Sequence, residues 1–382
     1  MLSRFPYPLE KGDKLRAYHQ LKGLSKTHKI HLFCTVESEI KPTDFQQVNQ
    51  FCESIQLFRL TKIGLAFQLL LSCFSNKPFQ AIYFYRIKHQ LKIARLIQSI
   101  KPDHIYCQLI RVSEYVKDYH YCNKTIDYMD TFSKGMERRI QTESLLTRWF
   151  YRLESKRLAL YERSIFDYFE HHTIISDQDR SLLVHPNKQE VVVVPNGIDT
   201  AFFETLSCTK DIDIVFTGNF SYAPNIDAAV ILATKILPAL HQKGHKINLL
   251  LSGANPTNKV LGLATKSVIV GGWVDDIRHS YQRSKLFVAP LFIGTGLQNK
   301  LLEAMASGLP CITTPLVNQA LSAKNNESIL LADSPEAIVA HIEWVLAHPE
   351  LAAKIGENGK AYIQSNYSWT TQNELLSALL QS

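Results

Sequence analysis

Short β-rich runs separated by helical stretches recur along the whole chain, and this rhythm limits the fold more than any single residue does. In the first half the runs fall at residues 30–36, 55–60, 81–85, 104–109, 125–128, 173–175 and 191–194. After Asn196-Gly197 the rhythm restarts, with runs at 212–217, 247–251, 268–270, 286–289, 311–313 and 328–331. Strands alternating with helices are the pattern of doubly wound parallel sheets. The restart predicts two such α/β domains in series. The turn signal Pro195-Asn196-Gly197 ends a valine strand, so the expected boundaries are 1–195 and 196–366, with 367–382 a helix that returns to the first domain. Residues 338–347, 349–365 and 370–380 read as helices.

The chain is long enough for this plan: 382 residues with 46% hydrophobic content can bury two full cores. Disorder and fibrous repeats are excluded on the same grounds. The net charge of +7 is uneven, with 29 Lys+Arg against 20 Asp+Glu in residues 1–190 and 13 against 15 in the remainder. A basic first half suits an anionic surface or substrate, or reflects lysines scattered on solvated helices. Seven cysteines, widely spaced and without a Cys-x-x-Cys pair, argue against a disulfide frame or a zinc ribbon and point to a reducing cytoplasm. The opening Met1-Leu-Ser-Arg-Phe-Pro-Tyr-Pro8 turns and becomes charged before a signal-peptide core forms. The uncharged run at residues 63–76 is too short to span a bilayer and reads as core or as a membrane-surface segment.

The stretch Gly294-Thr-Gly-Leu-Gln-Asn-Lys-Leu-Leu-Glu-Ala-Met-Ala-Ser-Gly-Leu-Pro310 carries the strongest chemical signal. Two glycines open a helix, and a glycine shortly before a proline closes it. At 100° per residue, Gly296, Asn299, Lys300 and Glu303 share an arc of about 100°, whereas Leu301, Leu302 and Met305 lie opposite. The amides of Gly296, Leu297 and Gln298 are expected at the positive end of the helix dipole, a place for a diphosphate. Glu303 lies two turns on, where a carboxylate can accept hydrogen bonds from ribose hydroxyls. Taken alone, the segment is equally a surface helix with a glycine-rich entry.

Other motifs sit where a parallel sheet exposes its carboxyl edge. The loop Pro8-Leu-Glu-Lys-Gly-Asp-Lys-Leu-Arg16 offers Gly12, Lys14 and Arg16 to a phosphate or an acceptor, or is merely a turn and helix cap. In Asp127-Tyr-Met-Asp130, Asp130 is a candidate to orient or deprotonate an acceptor hydroxyl, the alternative being a cap on the next helix. Gly218 and Asn219 follow one strand and precede a helix near Asn225. Gly253 ends the next strand, and Gly271-Gly-Trp-Val274 places Trp273 to stack on a base or to pack. Residues 136–168 read as one long helix carrying Arg148, Arg152 and Lys156 beside Trp149, Phe150, Leu153 and Leu160. Either an anionic membrane surface or a solvated face over the core accounts for it. His171-His172 would point apart on a strand, and no metal spacing, Gly-x-Ser-x-Gly elbow or Walker loop occurs.

Taken together, Val194-Pro-Asn-Gly-Ile-Asp199, Phe216-Thr-Gly218 with Pro224-Asn225, Gly272-Trp-Val-Asp275 and Gly294–Pro310 resemble the GT-B glycosyltransferases of family 4. Residues 4–16, Asp127-Tyr-Met-Asp130 and Gln298-Asn-Lys-Leu-Leu-Glu-Ala-Met305 look most like the sugar transferases associated with exopolysaccharide synthesis. The resemblance covers nearly the whole chain. It implies two Rossmann-like domains with an interdomain cleft, and a retaining, metal-independent transfer from a nucleotide diphosphate sugar to a lipid-linked or glycan acceptor. It implies no cofactor and no nucleic-acid partner, with a cytoplasmic location or a peripheral one on the inner face of the cell membrane. By resemblance Glu303 binds ribose, Gly296–Gln298 hold the diphosphate, Gly12 faces the donor, and Trp273 and Val274 border the base. Thr295 stands where many relatives carry a sugar-contacting glutamate, and Asn219 where many carry an arginine. Lys300 with Lys14 or Arg16 would then neutralise the diphosphate. Those departures also admit a non-catalytic nucleotide-sugar binder, and the double-sheet architecture admits a sugar-nucleotide epimerase.

Overall fold

The structure is a computed structural model that describes residues 1–61, 75–142, 145–293 and 297–382. It divides into two units, Met1–Pro195 with Thr370–Ser382, and Asn196–Trp369. Each is an α/β unit built on parallel strands.

In the first unit β1 (His31–Val36) pairs with β2 (Ser54–Arg59), while β3 (His104–Gln108), β4 (Asn123–Asp127), β5 (His171–Ile174) and β6 (Val192–Val193) form a four-stranded sheet in that order. Met1 and Leu2 lie between β1 and β3, bonded to both. The adjacent histidines on β5 point apart: His171 stacks on His104, His172 on Phe166. The closing helix Trp369–Gln381 packs on the opening helix Gly12–Leu24, where Asn373 Nδ2 donates to the His19 carbonyl at 3.1 Å. A side chain at Gly23 would lie 2.0 Å from that amide, so the close crossing requires glycine.

Two expectations fail in this unit. Residues 81–85 are not a strand, because Phe79–Phe84 is a helix. The Glu154 carboxylate accepts from the amides of Phe79 (2.8 Å) and Gln80 (3.1 Å), and this tertiary cap overrides the β propensity of Ile82, Tyr83 and Phe84. Residues 136–168 are not one helix but parts of two, Phe132–Thr142 and Leu145–Phe166. The run at 63–74 lies outside the described residues.

In the second unit β7 (Ile212–Thr217), β8 (Leu249–Ser252), β9 (Val268–Gly272), β10 (Ser284–Ala289), β11 (Cys311–Thr313) and β12 (Leu330–Leu331) form one sheet, ordered β12-β11-β10-β7-β8-β9. The chain winds outward from β7 in one direction and from β10 in the other. The switch point between these central strands is where doubly wound sheets open a crevice for ligands. Phe216, Phe287, Val288, Leu301, Leu302 and Met305 are among the core side chains that hold the sheet and its helices together. Among the described residues one helical span, Ala223–Gln242, has the length and apolarity to cross a membrane. Its Ala228, Ala229, Leu232, Ile236 and Leu240 belong to this core.

Candidate functional site

At the switch point the carboxyl end of β7 meets the helix Asn299–Ala306. Leu301, Leu302 and Met305 are buried on the apolar side of that helix, leaving Asn299, Lys300 and Glu303 partly exposed on the other. Tyr281, fully buried, holds Glu303 in place: its hydroxyl lies 2.7 Å from Glu303 Oε2 and 2.7 Å from Thr217 Oγ1 at the end of β7. Lys300 Nζ donates to Asn225 Oδ1 (2.7 Å) and Gln298 Oε1 (3.2 Å) and lies over the Phe216 ring. Asn225 is fixed in turn by its Nδ2 bond to the Asn219 carbonyl at 2.9 Å.

The loop after β7 is shaped around that ammonium. A Cβ at Gly218 would stand 2.9 Å from Asn225 Nδ2 and 3.3 Å from Lys300 Cε. Gly253 lies behind, with φ +144 and an added Cβ only 2.0 Å from the Gly218 carbonyl oxygen. Both glycines therefore serve close packing. Asn219 Oδ1 accepts from the amide (3.0 Å) and hydroxyl (2.7 Å) of Ser221, which is what turns the loop.

Glu303 and Lys300 keep some solvent-accessible surface, but their charged ends lie deep among protein atoms, and the depth governs their titration. Burial pushes the Glu303 carboxyl up to about 7, opposed by the Tyr281 hydrogen bond and the Lys300 charge. Burial brings Lys300 down to about 8, against the attraction of Glu303. A carboxylate and an ammonium so placed can take hydroxyl donors at one point and an anion at the other.

Several predicted donor residues are placed differently from expectation. The helix begins at Asn299 with Gln298 as its N-cap, so Leu297 and Gln298 precede it and its leading amides belong to Asn299 and Lys300. Thr295 and Gly296 lie outside the described residues. Gly253 is corrected from ligand contact to packing, because Gly218 fills its side-chain direction and its amide donates to the Gly272 carbonyl at 2.7 Å. Trp273 is 61% exposed just past β9 and Val274 is half-buried, so Trp273 is not a core residue.

In the first unit Gly12 opens the first helix with nothing within 4 Å of an added Cβ, and Lys14 is half-buried in its first turn. Arg16 is corrected. Its side chain is fully buried, with Nε 2.6 Å from Asp127 Oδ2 and Nη1 donating to the Val194 carbonyl at 2.8 Å, so it holds the unit together and does not reach a ligand. Asp127 also receives Tyr106 (2.7 Å) and the Met129 amide (3.2 Å). Asp130 keeps an exposed surface, yet its carboxyl sits deep enough for desolvation, assisted by Asp179, to raise it to about 7. Leu109 and Met129, just past β3 and β4, hold positive φ of 68 and 61, strain of the kind that collects at ligand-binding edges.

Sequence reasoning missed Tyr281, which looks like any core aromatic until its hydroxyl is seen between Thr217 and Glu303. It also missed Arg111, held over Phe132, with Nε 2.9 Å from Gln80 Oε1 and facing Asp13 at 4.0 Å.

Residues 211–348 match the family described as Glycosyl transferases group 1. A protein of the cps region of Klebsiella pneumoniae is 21% identical over 95% of this chain and 94% of its own length. Sucrose-phosphate synthase from Thermosynechococcus elongatus superposes over 100% of this chain and 98% of its own with a TM-score of 0.71 at 15% identity. Anabaena HepE in complex with UDP and glucose does so over 100% and 98%, with a TM-score of 0.66 at 13% identity. The fold is GT-B, two Rossmann-like units. The second unit carries a glycosyltransferase domain of group 1 type, and the chain is accordingly a glycosyltransferase.

Proposed function

We propose that the chain transfers a sugar from a nucleotide diphosphate sugar to a lipid-linked or polysaccharide acceptor, with retention of configuration and without a metal ion, in the synthesis of a cell-surface or exopolysaccharide glycan. One observation carries the donor half: the Thr217–Tyr281–Glu303 chain beside Lys300 and Asn225 at the switch point of the second unit. Glu303 accepts the ribose hydroxyls, Lys300 and the leading amides of its helix take the diphosphate, and Trp273 with Val274 borders the base. The crystal partners of HepE, UDP and glucose, support this donor class. The cps-region relative supports a surface polysaccharide as product.

The first unit takes the acceptor. Asp130 accepts the hydroxyl proton of the acceptor, while Lys14 and Gly12 serve the donor. Cytoplasmic work at the inner membrane face fits a lipid-linked acceptor and the excess of Lys and Arg in residues 1–190. Among the described residues no group of three His, Cys, Asp or Glu is placed to hold a metal ion.

Purified protein incubated with a panel of nucleotide sugars tests the reading. One donor is expected to bind and to turn over, on acceptor lipid or slowly on water. Binding without transfer or hydrolysis on any acceptor would reject the enzymatic role.

A further inference from the structure

Two arginines converge at the carboxyl edge of the first unit's strands, and the carboxylate between them binds only one. Leu2 runs parallel to β1, and Thr35 Oγ1 donates to the Ser3 carbonyl at 2.9 Å, which brings Arg4 to that edge. Arg111 reaches it from the 3-10 turn Ile110–Tyr115 that follows β3. Arg4 Nη1 donates to Asp13 Oδ2 at 2.6 Å, whereas Arg111 Nη1 lies 4.0 Å from the same oxygen. Asp13 Oδ1 accepts from the Lys14 amide at 3.1 Å.

A guanidinium as enclosed as that of Arg111 is ordinarily paired. Its side chain is 18% exposed, and its Cζ lies 4.7 Å from the centre of the Phe132 ring and 5.7 Å from that of Phe84. Its Nε is spent on Gln80 Oε1 at 2.9 Å. These contacts hold the fork and leave its two terminal nitrogens without a hydrogen bond among the described residues, as are Nε and Nη2 of Arg4. Burial, and after it the charge of Arg4, holds Arg111 down to about 10, so Asp13, Asp130 and Glu37, the carboxylates that oppose this, do not offset it. Glu37 is itself engaged by the Tyr83 hydroxyl at 2.8 Å. Phe132, on which the guanidinium rests, is two residues from Asp130, so the unspent donors lie near the carboxyl assigned to the acceptor's proton. One fork satisfies the two oxygens of a carboxylate, whereas a phosphoryl group has three and takes donors from two forks at once.

We propose that Arg111 and Arg4 bind a phosphoryl group of the acceptor, which makes that acceptor a sugar joined to lipid through phosphate or diphosphate and not a neutral polysaccharide end. The inference rests on the transfer reaction proposed above and narrows its acceptor. Neither arginine takes part in bond making; together they set the class of acceptor.

Calorimetry of the full chain with octyl diphosphate, in the absence of donor, tests the site apart from the reaction. Octyl diphosphate is expected to bind, and Arg111→Gln and Arg4→Gln each to weaken it about tenfold or more, as loss of a charged hydrogen bond does. Lys300→Gln is expected to leave its affinity unchanged, and octyl glucoside not to compete. Arg4 is 32% exposed, so Arg4→Gln reads the site even where Arg111→Gln loosens the packing of Phe84 and Phe132. No binding, loss in Lys300→Gln in place of the arginine variants, or equal binding of octyl glucoside would overturn the proposal. In transfer, Arg4→Gln should raise KM for a diphosphate-linked acceptor and not for the same sugar as a neutral octyl glycoside. A rise in donor KM instead would give the arginines to the donor and overturn it. Binding that behaves as expected with no transfer to any acceptor would reject the reaction and not the phosphoryl site.

Discussion

At the scale of single residues, Glu303 and Lys300 make opposite demands on pH. Binding a ribose needs the carboxylate, which Glu303 becomes above about 7, and binding a diphosphate needs the ammonium, which Lys300 loses above about 8. Affinity for a nucleoside diphosphate should therefore rise up to pH 7 and fall beyond pH 8, read by calorimetry across that range. Glu303→Gln should flatten the acid limb and leave the alkaline one. Glu303→Ala should weaken binding by about 1.5–3 kcal/mol, roughly 10- to 150-fold, and unchanged affinity in a folded variant would remove Glu303 from the ribose. The same carboxyl affects stability with a defined sign. Its folded value of about 7 exceeds the ordinary 4.5, so the folded state holds the proton between those values while the unfolded state releases it. Stability without ligand thus declines as pH rises through that window, and the cost is fully present above 7. Glu303→Gln should then raise the ligand-free melting temperature at pH 7.5 while weakening nucleotide binding, a pairing that a merely structural glutamate would not give.

At the scale of elements, the glycines separate into two kinds. Gly253→Ala sets a methyl 2.0 Å from the Gly218 carbonyl at a φ of +144, so overpacking and backbone strain add to about 2–4 kcal/mol of destabilisation. Gly12→Ala meets open space at a helix start and should change stability by less than about 0.5 kcal/mol. Denaturant melts of the two variants measure the contrast. The alternation of strand and helix was legible because buried parallel strands are short apolar runs, and β7 and β11 lie at the residues expected from the sequence. The division of Leu301, Leu302 and Met305 from Lys300 and Glu303 was legible because it follows helical spacing alone. What stayed hidden depends on partners distant in sequence. Residues 81–84 became helical because Glu154, some seventy residues on, caps the helix Phe79–Phe84 at its first two amides. Arg16 looked like a ligand-binding cation because its spacing from Gly12 says nothing of Asp127, 111 residues away. Gly253 looked like a ligand contact because its need for glycine comes from another glycine's backbone.

At the scale of the whole molecule, charge is concentrated in residues 1–190, and the helix Leu145–Phe166 shows how it can be used. Its inner face, with Glu154, Leu158, Tyr161, Glu162 and Ile165, is buried in the first unit. Trp149, Leu153 and Leu160 lie within about 40° of one another around the helix and are 64%, 39% and 69% exposed, with Arg152, Lys156 and Arg163 at neighbouring angles. A solvated face accounts for the basic residues, and the proposed anionic lipid surface would use the exposed tryptophan and leucines beside them as well. The protein should therefore sediment with vesicles that contain anionic lipid and not with neutral ones. Raising salt from 0.05 to 0.5 M, values about an order of magnitude apart that shorten the screening length severalfold, should release most of it. Arg152→Glu with Lys156→Glu should abolish capture at low salt, since each basic residue near such a surface contributes about 1 kcal/mol and reversal makes it repulsive. Trp149→Ala should weaken capture at every salt concentration, because its share is apolar and unscreened. Capture that ignores both salt and charge reversal would contradict an electrostatic contribution and leave the apolar residues of this face as the whole of the attachment.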